Sequence, residues 1–158
     1  PEPGIQFKDI TPLLADVELM RFAVDQLAQE WRNAGVTKVV GIESRGFILG
    51  SMLADTLNVG FVPIRKKGKL PFTTISETYA LEYGTDTIEM NTDAVSETDL
   101  VLIHDDVIAT GGTAAAAHRL IESAGAQVAG HSFLIELSFL GGRNVLPDGS
   151  RIHALIRY

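Results

Sequence analysis

Two adjacent carboxylates, Asp105 and Asp106, stand just ahead of the run Thr110-Gly111-Gly112-Thr113 in the stretch VLIHDDVIATGGTA, Val101 to Ala114. The two halves of that stretch suit different chemistry. Glycines let several backbone N–H groups point into one hollow, and a helix that starts there adds unpaired donors and a partial positive charge. With the hydroxyls of Thr110 and Thr113, Ala109 to Thr113 reads as a phosphate cradle. Carboxylates repel phosphate, so Asp105 and Asp106 want hydroxyls or a metal ion. A phosphorylated sugar carries both a phosphate and a diol. Taken singly, the acids end a strand, Thr113 caps a helix and the glycines make a turn. Their order and spacing make them one site. No lysine follows the glycines, as a Walker loop requires, and no G-x-G-x-x-G is present.

Two further stretches carry cations. Arg45, in Glu43-Ser44-Arg45-Gly46, has the planar fork suited to bidentate phosphate contacts, and Gly46 lets the backbone approach a ligand. The plain alternative is a surface pair of Arg45 with Glu43. Arg65, Lys66, Lys67 and Lys69 fall within one short run of an otherwise acidic chain. That run is either a solvated basic patch or an anion site fit for pyrophosphate.

These residues need elements to hold them. Val101-Leu102-Ile103 is a continuous apolar run, as in a strand buried on both faces. The Ala-rich stretch from Ala114 to Ala124 reads as a helix ended by Gly125. Lys38–Ile42 reads as a strand before the Arg45 loop, with a helix following to about Leu57. Asp16 reads as the N-cap of a helix carrying Met20, Val24, Leu27 and Trp31 at helical spacing, with Gly35 as its stop. Phe61–Ile64 is a further strand, and Pro63 in it predicts an edge position or local irregularity. Beyond the basic run the chain has no clear period to about Thr78, which predicts a long mobile loop of the kind used as lids. Residues 78–83 and 87–90 read as a two-stranded ribbon around Gly84-Thr85-Asp86. Val128–Leu137 and Ile152–Ile156 are the last strands. The alternation predicts an α/β domain with a mostly parallel twisted sheet flanked by helices, and ligands outside the carboxyl ends of its strands.

The chain has 158 residues, enough for one domain with a sizeable core. Hydrophobic residues make up 46% and charged residues 21%, which excludes a disordered chain. A net charge of −7 argues against a nucleic-acid partner. No apolar run is long enough to span a membrane, and no signal peptide is visible. Cysteine is absent, so disulfides and thiolate metal sites are ruled out. His104, His118, His131 and His153 show no metal-ligand spacing and read as scattered core or surface residues.

Several stretches then converge. VLIHDDVIATGGTA resembles the 5-phosphoribosyl-1-pyrophosphate (PRPP) motif of type I phosphoribosyltransferases. PGIQFKDITPLL, GIESRGFILG, VPIRKKGKLP, YALEYGTDTIEM and LIELSFLGGR, in that order over nearly the whole chain, narrow the resemblance to the adenine phosphoribosyltransferases. The resemblance implies the type I phosphoribosyltransferase fold over residues 1–158 as one domain. A small base-binding hood would come from residues 1–15, and a mobile lid loop and ribbon from about 66 to 90.

It implies transfer of the phosphoribosyl group of PRPP to N9 of adenine, giving AMP and pyrophosphate. Asp105 and Asp106 would hold the ribose hydroxyls, and Ala109, Thr110, Gly111, Gly112 and Thr113 the 5-phosphate. Arg45 would contact pyrophosphate, and Arg65, Lys66 and Lys69 would bind it or help a dimer complete the site. The Arg45 loop often contains a non-proline cis peptide in this class. Phe7 and Leu137 would stack on adenine, and the backbone around Gln6 and Lys8 would bond its edge. Glu82 would handle the proton, beside Tyr83 in the lid.

Mg2+ would act through PRPP with no direct protein ligand. A homodimer, a cytoplasmic location and no nucleic-acid or membrane partner are also implied. His104, Lys8 and Ser44 stand where the family commonly has an aliphatic residue, Arg and Ala. The competing readings are a phosphoribosyltransferase for another purine and a non-catalytic PRPP-sensing module.

Overall fold

The computed structural model describes residues 9–158. In chain order the elements are α1 (Thr11–Ala15), α2 (Val17–Gln29), β1 (Lys38–Ile42), α3 (Gly46–Leu57), β2 (Gly60–Lys66), β3 (Thr74–Ala80), β4 (Thr85–Asn91), β5 (Leu100–Ile108), α4 (Gly112–Ser123), β6 (Gln127–Glu136) and β7 (Ile152–Arg157). Short 3-10 turns, Ser138–Leu140 and Gly142–Val145, link β6 to β7. The strands form one sheet in the order β3-β4-β2-β1-β5-β6-β7. Pairing is parallel from β2 through β7 and antiparallel where β4 joins β2 and β3 joins β4.

The apolar runs of β1 and β5 are continuous because both faces of the sheet are covered. Val39 and Leu102 pack with α2 and α3, against Leu27, Leu49 and Leu53. Val40, Val101 and Ile103 pack on the other face with Ala116, Ala117, Leu120 and Ile121 of α4. The Ala-rich face of α4 is thus core, and its small side chains let the helix lie close to the sheet.

Asp16 caps α2 as expected, its Oδ1 accepting from the N–H groups of Glu18 and Leu19 at 3.0 and 3.2 Å. The α-helix stops at Gln29, and Trp31 is buried from the turns that follow, which end at Gly35 with φ of +79°. Pro63 sits in a strand with neighbours on both sides. It pairs with Gly41 of β1, but the pairing of β2 with β4 involves only Arg65 and Lys66, so no partner faces its missing N–H. The ribbon is longer than expected. β3 begins at Thr74, leaving 67–73 as the irregular stretch, while Leu81, Glu82 and Tyr83 lie in the turn between β3 and β4.

Two of the four histidines meet. His118 on α4 and His131 on β6 meet, Nδ1 to Nε2, at 2.9 Å. His104 is fully buried beside Ser132, its Nδ1 3.3 Å from the hydroxyl. Burial pushes His104 down to about 4 and His131 down to about 3, the latter helped by the neighbouring His118.

Both rings are neutral when folded and ordinary histidines, near 6.5, when unfolded. The unfolded chain therefore takes up protons first, so their stabilising effect is complete above about pH 6.5 and is lost as pH falls below it. Unfolding free energy is expected to drop between about pH 7 and pH 5, by up to about 1.4 kcal/mol per pH unit for each such group. His104→Leu should make the drop shallower; an equal slope in urea titrations of both proteins would show that His104 does not contribute.

Candidate active site

The order β2-β1-β5-β6 creates a switch point. From β1 the chain crosses through α3 on one face to β2; from β5 it crosses through α4 on the other face to β6. The crevice outside the carboxyl ends of β1 and β5 is where such sheets bind ligands. The Arg45 loop leaves β1 there, and the glycine-rich loop leaves β5.

Asp105 and Asp106 lie inside β5, which runs on to Ile108, past the point where the apolar run stops. Asp106 is 5% exposed. Nε of Arg45 lies 3.0 Å from its Oδ2, although that oxygen receives no aligned hydrogen bond. Asp105 Oδ1 accepts from the Asp106 N–H at 2.8 Å. Burial first, then the adjacent Asp106 carboxylate, raises Asp105 well above the usual carboxylate range; Arg45 only partly offsets this. Gly46 makes the close approach of α3 to β5 possible. A Cβ there would stand 3.0 Å from Asp105 Oδ1 and 3.2 Å from the His104 carbonyl oxygen. The peptide bond Glu43–Ser44 is cis, as the resemblance implied for this loop.

Gly111 is the N-cap of α4, with φ of +86°. A small cavity of about 70 Å³ opens at this end of the helix, lined by Asp105, Thr110, Gly111, Gly112 and Thr113 among others. Asp105 and the glycine-rich loop thus share one hollow. Thr113 is not the cap; its hydroxyl donates to Tyr79 Oη at 3.1 Å.

The basic run divides between two carboxylates. Arg65 Nε and Lys69 Nζ each donate to Glu43, at 2.7 Å. Burial raises the Glu43 carboxyl, but the hydrogen bonds from Lys69 and Arg65 outweigh it and hold the group below its usual range. Glu43 therefore pairs with Arg65 and Lys69, while Arg45 reaches Asp106. Lys66 pairs with Asp86. Burial lowers the Lys66 ammonium, but Asp86 and Tyr79 together more than compensate, so it is raised. Asp86 also lies 3.5 Å from Tyr79 Oη. A chain Lys66–Asp86–Tyr79–Thr113 thus ties β2 and the β3–β4 hairpin to the start of α4. Sequence reasoning missed Tyr79 and Asp86. Their only signal was cross-strand register, Tyr79 opposite Asp86, which depends on placing the turn correctly.

The other expected residues lie around this centre. Glu82 and Tyr83 sit in the exposed hairpin turn. Leu137 follows β6, is buried, and its N–H donates to Ile108 O at 3.0 Å. Gln6, Phe7 and Lys8 lie outside the described residues. Asp9, the first described residue, is held below its usual range by the hydroxyl and N–H of Thr11, with a smaller effect from the Arg45 charge.

A family model described as a phosphoribosyl transferase domain matches residues 12–137. An adenine phosphoribosyltransferase of Acidothermus cellulolyticus is 57% identical over 99% of this chain and 88% of its own length. This chain belongs to the adenine phosphoribosyltransferase family. Solved members of that family share its fold. The Rhodothermus marinus enzyme is 61% identical with a TM-score of 0.95, over 100% of this chain and 90% of that one. The Saccharomyces cerevisiae enzyme, complexed with an imino-altritol bisphosphate and adenine, is 40% identical with a TM-score of 0.91, over 98% and 89%.

Within this family member the seam between α3 and β5 is a point of tight fit. Gly46→Ala sets a Cβ 3.0–3.3 Å from Asp105 and the His104 carbonyl, so the seam must shift by a few tenths of an ångström, and a net cost of about 1 kcal/mol of stability is expected. Urea denaturation measures it; an unchanged midpoint would mean that the seam yields freely.

Proposed function

We propose that the chain transfers the 5-phosphoribosyl group from PRPP to N9 of adenine, giving AMP and pyrophosphate in purine salvage. The observation that carries this is the meeting of two loops at the switch point. The hollow of Asp105 and Thr110–Thr113 faces one end of a phosphorylated sugar, and the Arg45 loop with Arg65, Lys66 and Lys69 supplies cations for the other. A sensing module needs only the first; the second suits release of a pyrophosphate.

Each residue then has a task. The hydroxyls and N–H groups of the loop hold the 5-phosphate, helped by the start of α4. Asp105 and Asp106 accept from the ribose hydroxyls. Those hydrogen bonds favour the charged form of Asp105, and as the bond from C1 to pyrophosphate lengthens the acidic pair stabilises the positive charge that grows on the sugar, as in glycoside cleavage. Arg45, Arg65, Lys66 and Lys69 take up the charge of the leaving pyrophosphate. Glu82 removes the N9 proton, and the hairpin turn with Tyr83 keeps water out. Phe7 and Leu137 stack on the base, and the backbone near Gln6 and Lys8 reads its edge, so residues 1–15 form the base-binding segment.

Among the described residues no three acidic or histidine side chains converge. The acidic pair offers hard oxygen donors but no cage, which suits a cation that brings water and substrate oxygens as its ligands. Asp105 and Asp106 would lie beside a Mg2+ bound through PRPP, with no direct protein ligand required, and the ion would supply charge neutralisation for the pyrophosphate. Among the described residues no helix is long and apolar enough to cross a membrane. A homodimer and a cytoplasmic location rest on the family resemblance alone.

Asp105→Asn and Glu82→Gln are each expected to lower kcat by at least about tenfold, about 1.4 kcal/mol of barrier. If neither does, the assigned roles are wrong. Pyrophosphate release from PRPP should be at least about tenfold faster with adenine than with guanine, since base-edge hydrogen bonds set the choice; equal rates would point to a broader purine enzyme.

A further inference from the structure

We infer that Glu136, Arg143 and Gly142 form a backstop that fixes the shape of the glycine-rich loop, and that they are positioning residues for recognition of the 5-phosphate. This rests on the proposed transferase function and assigns to it residues that touch no reacting atom.

The argument starts from register. Glu136 ends β6, pairs with Ile108 on one side and with Arg157 on the other. Ile108 is the last residue of β5 before the loop. Glu136 is 3% exposed, so its carboxylate needs partners. Arg143 supplies them with its fork, Nε to Oε2 at 2.9 Å and Nη2 to Oε1 at 2.8 Å. Arg157 Nε adds an ion contact to Oε1 at 3.0 Å. The Arg143 hydrogen bonds, ahead of every other influence, hold Glu136 in its charged form.

Fixing Arg143 fixes Gly142, the residue before it, and Gly142 lies directly against the loop. A Cβ at Gly142 would stand 2.4 Å from the Ala109 carbonyl oxygen and 3.1 Å from the Gly111 nitrogen. The contact is mutual, since a Cβ at Gly111 would stand 2.3 Å from the Gly142 carbonyl oxygen. Two backbone segments touch with no room for a side chain between them. Beneath them Ile108, Ala114, Ala115, Phe133 and Leu146 make a small apolar cluster that fixes the same loop from below. The loop backbone thus has a wall behind it, and the wall is held by a buried carboxylate, Glu136, with the partly exposed Arg143 and Arg157 on it. A hollow that reads phosphate through backbone N–H groups is only as selective as those groups are fixed.

The test compares AMP with adenosine, which differ only in the phosphate, in the full chain by calorimetry. Gly142→Ala is expected to weaken AMP binding by at least about tenfold while adenosine changes by less than about twofold. Arg143→Lys keeps the charge but loses the fork, and Glu136→Gln loses the charge; both should shift AMP in the same direction by a smaller factor, with far-ultraviolet circular dichroism unchanged. Gly142→Ala is the variant most exposed to misfolding, and the other two carry the test without it. Equal losses for AMP and adenosine, or no loss for either in folded variants, would overturn the backstop. A wild-type chain that binds AMP no better than adenosine would overturn the transferase reading itself, and the backstop with it.

Discussion

Two carboxylates side by side at the covered end of a strand are unstable neighbours. Burial strips water from Asp105, and the Asp106 charge beside it raises the cost of charging it further. Asp105 shows the result, with its proton held well above the ordinary range. That position is tolerable only if positive charge or a hydroxyl-bearing ligand comes to it. The Arg45 loop brings the charge, and it can do so only because Gly46 lets α3 touch β5. The switch point, the tight seam and the acid pair are therefore one arrangement.

The cations around this centre are better understood as held than as stabilising. Arg65 and Lys69 are partly exposed, and ion pairs of that kind contribute little to folding. What Glu43 does is set where they are. Its side chain is 8% exposed, and removing both partners would strand a buried charge. The two cations thus stay at the mouth of the crevice with donors to spare, since Arg65 engages Glu43 through Nε and Lys69 through one of three N–H groups.

Much of this was legible in the chain because it is local. A strand, a glycine-rich turn and a helix in succession are written in one stretch, and β1 with the Arg45 loop repeats the pattern. Even there the strand ran further than the apolar run, because β6 pairs with β5 through Asp105 to Ile108. What was not legible joins segments far apart in sequence. Glu43 with Arg65 and Lys69, His118 with His131, Tyr79 with Thr113, and Gly111 with Gly142 are products of register and crossover. No spacing rule reveals them. The histidines are the clearest case: His118 and His131 lie thirteen positions apart, yet the return from helix to strand makes them hydrogen-bonded neighbours.

The β3–β4 hairpin has a consequence in mechanics. Ile88 and Met90 are buried in the core, Tyr79 is bonded to the start of α4, and Asp86 is tied to Lys66. The ribbon is clamped along its length up to the rung Tyr79–Asp86. Only the Ala80–Thr85 rung and the turn of residues 81–84 extend past that clamp. Any displacement of the turn that carries Glu82 is then the bending of a short cantilever. The stiffness of that tip, set by so few residues, fixes how far the turn can travel and how little chain is reordered when it does.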